Sequence, residues 1–155
     1  MCSKLRATMI PSLLFFHILS AVIWVGGMFF AHQMVRPSVV SLDAPVRLAL
    51  WRRIFERFFA WVWAAVLLLL VTGVGMEIAG VQGLHVTIME VLGVIMVLAF
   101  GHLFFAPWKR FRHAIDGNDF AAAAAQLNQI RRIVEFNLAL GLIVVVVGAT
   151  GRYWG

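Results

Sequence analysis

Charged residues are scarce in this sequence: they make up 13% of it, whereas soluble globular proteins carry about 25%. Hydrophobic residues reach 63%. This composition excludes an ordinary soluble domain, because a water-exposed surface needs more charge than the chain offers. The apolar residues are gathered in long stretches, which is typical of a membrane protein.

Cysteine is nearly absent as well, since Cys2 is the only one in 155 residues. A single cysteine excludes an intramolecular disulfide, and it also excludes the usual metal site built from several thiolates. A metal bound by this chain therefore needs other ligands, of which neutral histidine is the commonest.

Four apolar stretches divide the chain, and each has about 20 residues, enough to cross a ~30 Å hydrocarbon core as a helix. They cover approximately residues 10–35, 58–80, 84–107 and 133–151. A soluble core would not need four such stretches. We therefore predict an all-α fold with a single domain over 1–155, an integral membrane four-helix bundle of up-down topology.

The connections predict how these spans begin. Asp43 is followed by alanine and proline, a pattern typical of a helix N-terminus, and Asp119 offers a second N-cap. We expect spans two and four to start at these residues as amphipathic helices before they enter the bilayer. Residues 79–83 predict a short turn between spans two and three.

Basic residues are distributed unevenly between the connections. Ten of the thirteen follow span one or span three, and only Lys4, Arg6 and Arg152 lie towards the other side. The positive-inside rule places both arginine-rich connections in the cytoplasm and both termini on the periplasmic side of a bacterial inner membrane. The net charge of +6 is explained by this topology, so nucleic acid is not expected as a partner.

A faint internal repeat relates the two halves of the chain. His32 and His102 each lie five residues before a proline, and each proline is followed by a loop and an Arg-Arg pair. Both halves then end in an apolar span that contains Thr-Gly. The pattern is consistent with two similar hairpins around a shared interior.

Four of the five histidines lie within or beside the apolar stretches, where an ionisable side chain is a functional hypothesis by default. His17 and His85 are expected to form an outer layer, and His32 and His102 an inner one. At about 100° per residue around the helix axis, His32 lies about 60° away from His17 on span one. On span three, His102 lies about 100° away from the helix face that carries His85. The metal-ligand candidates are therefore His17 and His85, then His102, with His32 last.

Alternatives remain for each histidine. His17 could instead form an interhelical hydrogen bond, and His85 could cap span three at the membrane surface. His32 and His102 could reach the interface. Other residues predicted to surround a cofactor are Trp24, as a wall of the site, and the cations Arg6 and Arg152, which could pair with propionates.

Two His/Met pairs suggest a different ligand. Met28 lies four residues before His32, and Met89 lies four residues after His85. Residues at this spacing share a helix face. Imidazole and thioether donors together suit Cu(I), which is a soft ion.

The chain resembles the CopD-like membrane family. The resemblance is carried by "FFHILSAVIWVGGMFFAHQMVRP" in span one and "RIFERFFAWVWAAVLLLLVTG" in span two, and it continues through "LHVTIMEVLGVIMVLAFGHLFFAPWKRFRHAI" and "IRRIVEFNLALGLIVVVVGATGRYW". The most specific parts are the aromatic-His start and the Trp-x-Gly-Gly centre of span one. The family name implies copper handling.

The layout is also similar to the HemJ type of protoporphyrinogen oxidase, a small helical membrane protein that carries haem b. That resemblance implies function for a histidine in span one, which His17 matches, and for a lysine early in span three. No lysine lies between Leu84 and Trp108, where His85 and Glu90 are found instead. The resemblance therefore implies a haem site more than the oxidase activity.

From these features the sequence favours a haem b protein with a redox or electron-transfer role. His17 would be one axial ligand, with His85 or His102 as the second, and one haem or two could be bound. A quinone or another redox partner and a homo-oligomer are possible partners within the lipid bilayer. The alternatives are a HemJ-like porphyrinogen oxidase and a copper-binding or copper-transport membrane protein.

Overall fold

The computed structural model describes the backbone of residues 2–154 and the side chains of residues 9–154. Within this part of the chain all regular structure is helical. Four helices are long and apolar enough to cross a membrane: span one (Met9–Ser38), span two (Ala44–Ile78), span three (Leu84–Asp116) and span four (Phe120–Tyr153). The protein is therefore a multi-pass membrane protein, and the predicted all-α fold is confirmed.

Span one is an α-helix interrupted by two π turns. Its parts are α1 (Cys2–Ala21), a π segment (Val22–Gly26), α2 (Gly27–Phe30), a second π segment (Ala31–Val35) and α3 (Arg36–Ser38). A π turn inserts an extra residue into the hydrogen-bond ladder and changes the face that later side chains present. Such bulges are frequent at functional sites.

Spans two and four begin well before their apolar stretches, as predicted. Span two is one helix, α4 (Ala44–Ile78), and span four is α7 (Phe120–Thr150) followed by a 3₁₀ turn (Gly151–Tyr153). Asp119 caps α7 by accepting a hydrogen bond from Ala122 N at 2.9 Å. Asp43 is at the N-cap position of α4, but its side chain makes no capping hydrogen bond.

Span three is interrupted at Ala106, just before Pro107. It consists of α5 (Leu84–Phe105) and α6 (Pro107–Asp116), because proline lacks the N–H that would continue the helix. The α6 helix is amphipathic. It buries Pro107, Trp108 and Phe111 and exposes basic residues on its other face.

The bundle is assembled from two hairpins. Span one packs most closely on span two and span three on span four, while α2 also contacts span four. Spans two and three meet through aromatic side chains, with Phe59 and Phe100 ring centroids 5.6 Å apart. Large apolar residues such as Leu67 and Leu98 are about two-thirds exposed on the outside, where lipid tails would cover them.

The two ends of the bundle differ in character. One end, here the loop end, carries the connections 39–43 and 117–119, the helix α6 and the ten basic residues. These residues are Arg36, Arg47, Arg52, Arg53, Arg57, Lys109, Arg110, Arg112, Arg131 and Arg132. The other end, here the terminus end, carries the first and last described residues and the short turn predicted at 79–83, which is confirmed.

Candidate functional site

His85 lies in the first turn of α5 at the terminus end and packs closely against span four. Its side chain lies directly against Gly151 of span four, so that a methyl group at Gly151 would overlap His85 Cβ and lie 2.6 Å from Cγ. Its ring also lies over Gly83, where a Cβ would be 2.9 Å from His85 Cε1. Glycine at both positions is what allows the imidazole to occupy this interface.

The same face of α5 carries two methionines, each opposite another glycine of α7. A Cβ at Gly148 would lie 3.0 Å from Met89 Sδ, and one at Gly141 would lie 3.2 Å from Met96 Cε. The seven-residue step from Met89 to Met96 thus matches the step from Gly148 back to Gly141. This antiparallel register sets a row of one imidazole and two thioethers against a smooth glycine face, which we call the His-Met row (His85, Met89 and Met96).

The inner end of the row reaches span one. The Cβ position of Gly141 lies 2.8 Å from Val25 Cγ2 as well as near Met96, so spans one, three and four meet at this level. Met28, one turn after Val25, is 2% exposed. It belongs to α2, the short helix between the two π segments, and His32 follows in the second π segment.

His17 is held by span two rather than by span three. Its Nδ1 lies 2.8 Å from Thr72 Oγ1, and the Thr72 hydroxyl donates to the carbonyl of Leu68 at 2.6 Å. Because the single hydroxyl hydrogen of Thr72 is donated to Leu68, Thr72 Oγ1 can only accept a hydrogen bond from His17. We therefore assign the proton of the neutral His17 ring to Nδ1, which donates to Thr72 Oγ1. Nε2 then keeps its lone pair, which is the arrangement of many metal-binding histidines.

We predict that Thr72→Val lowers the free energy of unfolding by about 0.6 kcal/mol, the average for an interhelical hydrogen bond in a membrane protein. The largest such value, about 1.7 kcal/mol, sets the upper limit. Valine keeps the shape of threonine but leaves the His17 N–H without its acceptor. Reversible unfolding in mixed micelles measures the change. Thr150→Val is the matched control, because Thr150 also donates to its own helix, at Val146 O, but has an exposed side chain.

The contacts of His17 and His85 therefore belong to different helix pairs. Thr72 and Gly73 of span two line His17, whereas Gly151 of span four lines His85. His102 is exposed on the outer surface of α5. The structure thus does not gather the three predicted metal ligands into one cluster, and their assignment as haem ligands stays a prediction.

The other predicted cofactor residues have separate surroundings. Trp24 is 3% exposed and packs edge-on against Phe100, with ring centroids 6.1 Å apart. Arg152 is exposed at the terminus end, where its guanidinium contacts the ring and hydroxyl of Tyr153. The side chain of Arg6 lies outside the described residues.

One cluster at the loop end was not found from the sequence. Arg36 donates to Glu135 Oε1 at 2.6 Å, and His32 Nδ1 lies 3.6 Å from the same oxygen. These residues are about a hundred positions apart in the chain, and only the packing of span one on span four brings them together. Helical phase within span one gave no signal for it.

Conventional metal clusters are not found among the described residues: no three side chains of the types His, Cys, Asp and Glu come together there. Methionine thioethers are a further class of metal donor beyond these four side-chain types. The His-Met row is therefore the grouping of candidate metal donors that fits a soft ion, with one imidazole nitrogen and thioether sulfurs.

Comparison with known proteins gives the family. The family described as Copper resistance protein D (CopD) matches residues 52–150, which is more than half of the chain. The protein belongs to the CopD family, and the predicted CopD-like resemblance is confirmed. No curated protein and no solved structure matches it significantly. The similarity to the HemJ type stays a prediction.

Proposed function

We propose that this protein binds Cu(I) within the membrane and handles it as cargo through the His-Met row. The family name supports copper, which the sequence had ranked below haem. His85 and Met89 would form the entry site at the terminus end. Met96, Met28 and His32 would offer further donors towards the loop end.

One observation carries the proposal, namely the register between the row and the glycine face of α7. His85, Met89 and Met96 each lie opposite a glycine, at Gly151, Gly148 and Gly141. Glycine in a transmembrane helix permits close approach of its neighbour. Here the neighbour brings in the imidazole of His85 and the thioethers of Met89 and Met96. Span four also holds α5 at this level, because the buried Asn137 Nδ2 donates to the Met96 carbonyl at 3.1 Å.

The donor chemistry selects the ion. Thioether and imidazole ligands suit Cu(I), whereas carboxylate and carbonyl oxygens suit Mg²⁺, Ca²⁺ and Mn²⁺. Structural Zn²⁺ sites take four ligands, mainly thiolate and imidazole. His85 and Met89 supply an imidazole and a soft thioether one helical turn apart, and because the thioether favours a soft ion we expect monovalent copper to be preferred over zinc.

The order of the donors along the bundle supports a role in passage as well as in binding. Met89 and Met96 are about 10 Å apart along α5 at 1.5 Å per residue. Met96 and Val25 meet at Gly141, and Met28 and His32 continue from Val25 along span one. The π segments on both sides of α2 interrupt the regular α-helical hydrogen bonds, and a rearrangement of these hydrogen bonds would allow α2 to rotate and bring Met28 towards a passing ion.

Haem b binding, a quinone partner, a homo-oligomer and the placement in a bacterial inner membrane stay predictions from the sequence. Within the haem hypothesis, His17 has the most suitable environment, since its proton is held on Nδ1 by Thr72. Copper is the better supported ligand because the family name points to it.

The experiment is to load the full chain, purified in a neutral detergent, with Cu(I) under anaerobic reducing conditions and to remove unbound ion by gel filtration. Elemental analysis is expected to find at least one copper per chain and no retained zinc after parallel loading with Zn²⁺. The proposal would be contradicted by protein that retains no copper and instead shows a haem spectrum, with a Soret band and with α and β bands that sharpen on reduction.

A further inference from the structure

A small cavity lies at the loop end, between spans one, two and four and separate from the His-Met row. Its volume is about 20 Å³, enough for one water-sized atom. The residues that line it are Ala31, His32, Arg36, Trp51, Phe55, Arg131 and Val134. Most of the polar groups among them are hydrogen-bond donors.

Two of these donors have no partner among the side chains that the structure describes. Trp51 is 3% exposed, and its Nε1 is buried without a hydrogen bond. The Nε of Arg131 is likewise buried and unpaired, while its guanidinium lies over the Trp51 ring, 5.6 Å from the centroid. Leaving buried donors unsatisfied is costly, so a native acceptor is expected at this position.

The charge around the cavity favours an anionic acceptor. Arg36 and Arg47 both lie close enough to act on the charge of Arg131, and Glu135 is the acid that opposes them. Glu135 is already engaged by Arg36 at 2.6 Å. The positive charges of Arg36, Arg47 and Arg131 are therefore opposed by one carboxylate, that of Glu135, and the group keeps an excess of positive charge.

From the unpaired donors, the size of the cavity and this charge, we infer that the cavity binds one oxygen of a phosphate group. Trp51 Nε1 and Arg131 Nε would donate to that oxygen, and the partly exposed Arg36 at the mouth would contact the others. Arg131 comes just before the apolar part of span four, where basic residues would meet phospholipid headgroups at the end of a membrane span. The same phosphate chemistry could come from an anionic phospholipid or from free phosphate.

The test compares two neighbouring arginines in the full chain, purified in a neutral detergent. Native mass spectrometry measures the binding of phosphatidylglycerol, with diacylglycerol as the lipid that lacks phosphate. Arg131→Gln is expected to weaken phosphatidylglycerol binding about tenfold. Arg132→Gln removes the same charge one residue further on, at an exposed position, and is expected to leave binding unchanged.

A second pair of variants keeps the result interpretable if Arg131→Gln folds poorly. Trp51→Phe retains an aromatic ring below Arg131 but removes the indole N–H, and it should also weaken binding. Trp61→Phe, at a 61% exposed position, is its control. Competition by inorganic phosphate would identify free phosphate as the source, and its absence would identify the lipid. Equal losses in Arg131→Gln and Arg132→Gln, or equal binding of both lipids by the wild type, would overturn the inference.

Discussion

Met89→Leu is expected to lower the affinity for Cu(I) by about 100-fold or more. Leucine fills a similar volume in the same helix but has no sulfur, so the packing against Gly148 is kept while the thioether donor is lost. Changes to groups that only support metal ligands already cost about 10–100-fold in affinity, so loss of a ligand should cost at least as much. Competition with a chromophoric Cu(I) chelator measures the change.

Met34→Leu is the matched control for this prediction. Met34 is a methionine of span one that is 50% exposed and is not part of the His-Met row, so the same change from methionine to leucine can be made there. We expect wild-type affinity for this variant. If Met34→Leu and Met89→Leu weaken copper binding equally, or if neither does, Met89 is not a ligand.

Gly141→Ala is expected to destabilise the protein by about 2 kcal/mol, as overpacking of a core does. The added methyl group would lie 2.8 Å from Val25 Cγ2 and 3.2 Å from Met96 Cε, where three spans meet. Valine is stiff at χ1, so relief requires a shift of the helices rather than of one side chain. Unfolding in mixed micelles measures the loss.

The control for this second prediction is Gly93→Ala in span three. A Cβ at Gly93 meets nothing within 4 Å, and alanine favours a helix over glycine by about 1 kcal/mol. We therefore expect the control to be neutral or stabilising. Equal destabilisation by both substitutions would show that the glycine face of α7 is not a close-packing surface.

The spans and their starting points could be predicted because they depend on local properties of the sequence. The apolar stretches fixed the four helices, and the Asp119 cap arises from residues a few positions apart. Helical spacing also placed His85 and Met89 on one face, and the structure puts both against α7.

What could not be predicted depends on which helix each face meets. His17 forms the interhelical hydrogen bond that the sequence offered as an alternative, but helical phase could not identify its partner, which is Thr72 of span two. The structure buries Trp51 and Trp108 at 3% exposure, both against Phe55, and only the packing of spans two and three brings these rings together. The cavity at Trp51 and Arg131 requires three helices at once, so no local pattern reveals it.

The central claim is that copper is held by imidazole and thioether donors of the His-Met row. The most direct test is X-ray absorption spectroscopy at the copper edge on the Cu(I)-loaded full chain, for the wild type and for Met89→Leu. The account predicts an edge typical of Cu(I), with a sulfur neighbour that is reduced or lost in the variant and a nitrogen neighbour that remains. A copper site with only nitrogen and oxygen neighbours, identical in both proteins, would contradict it.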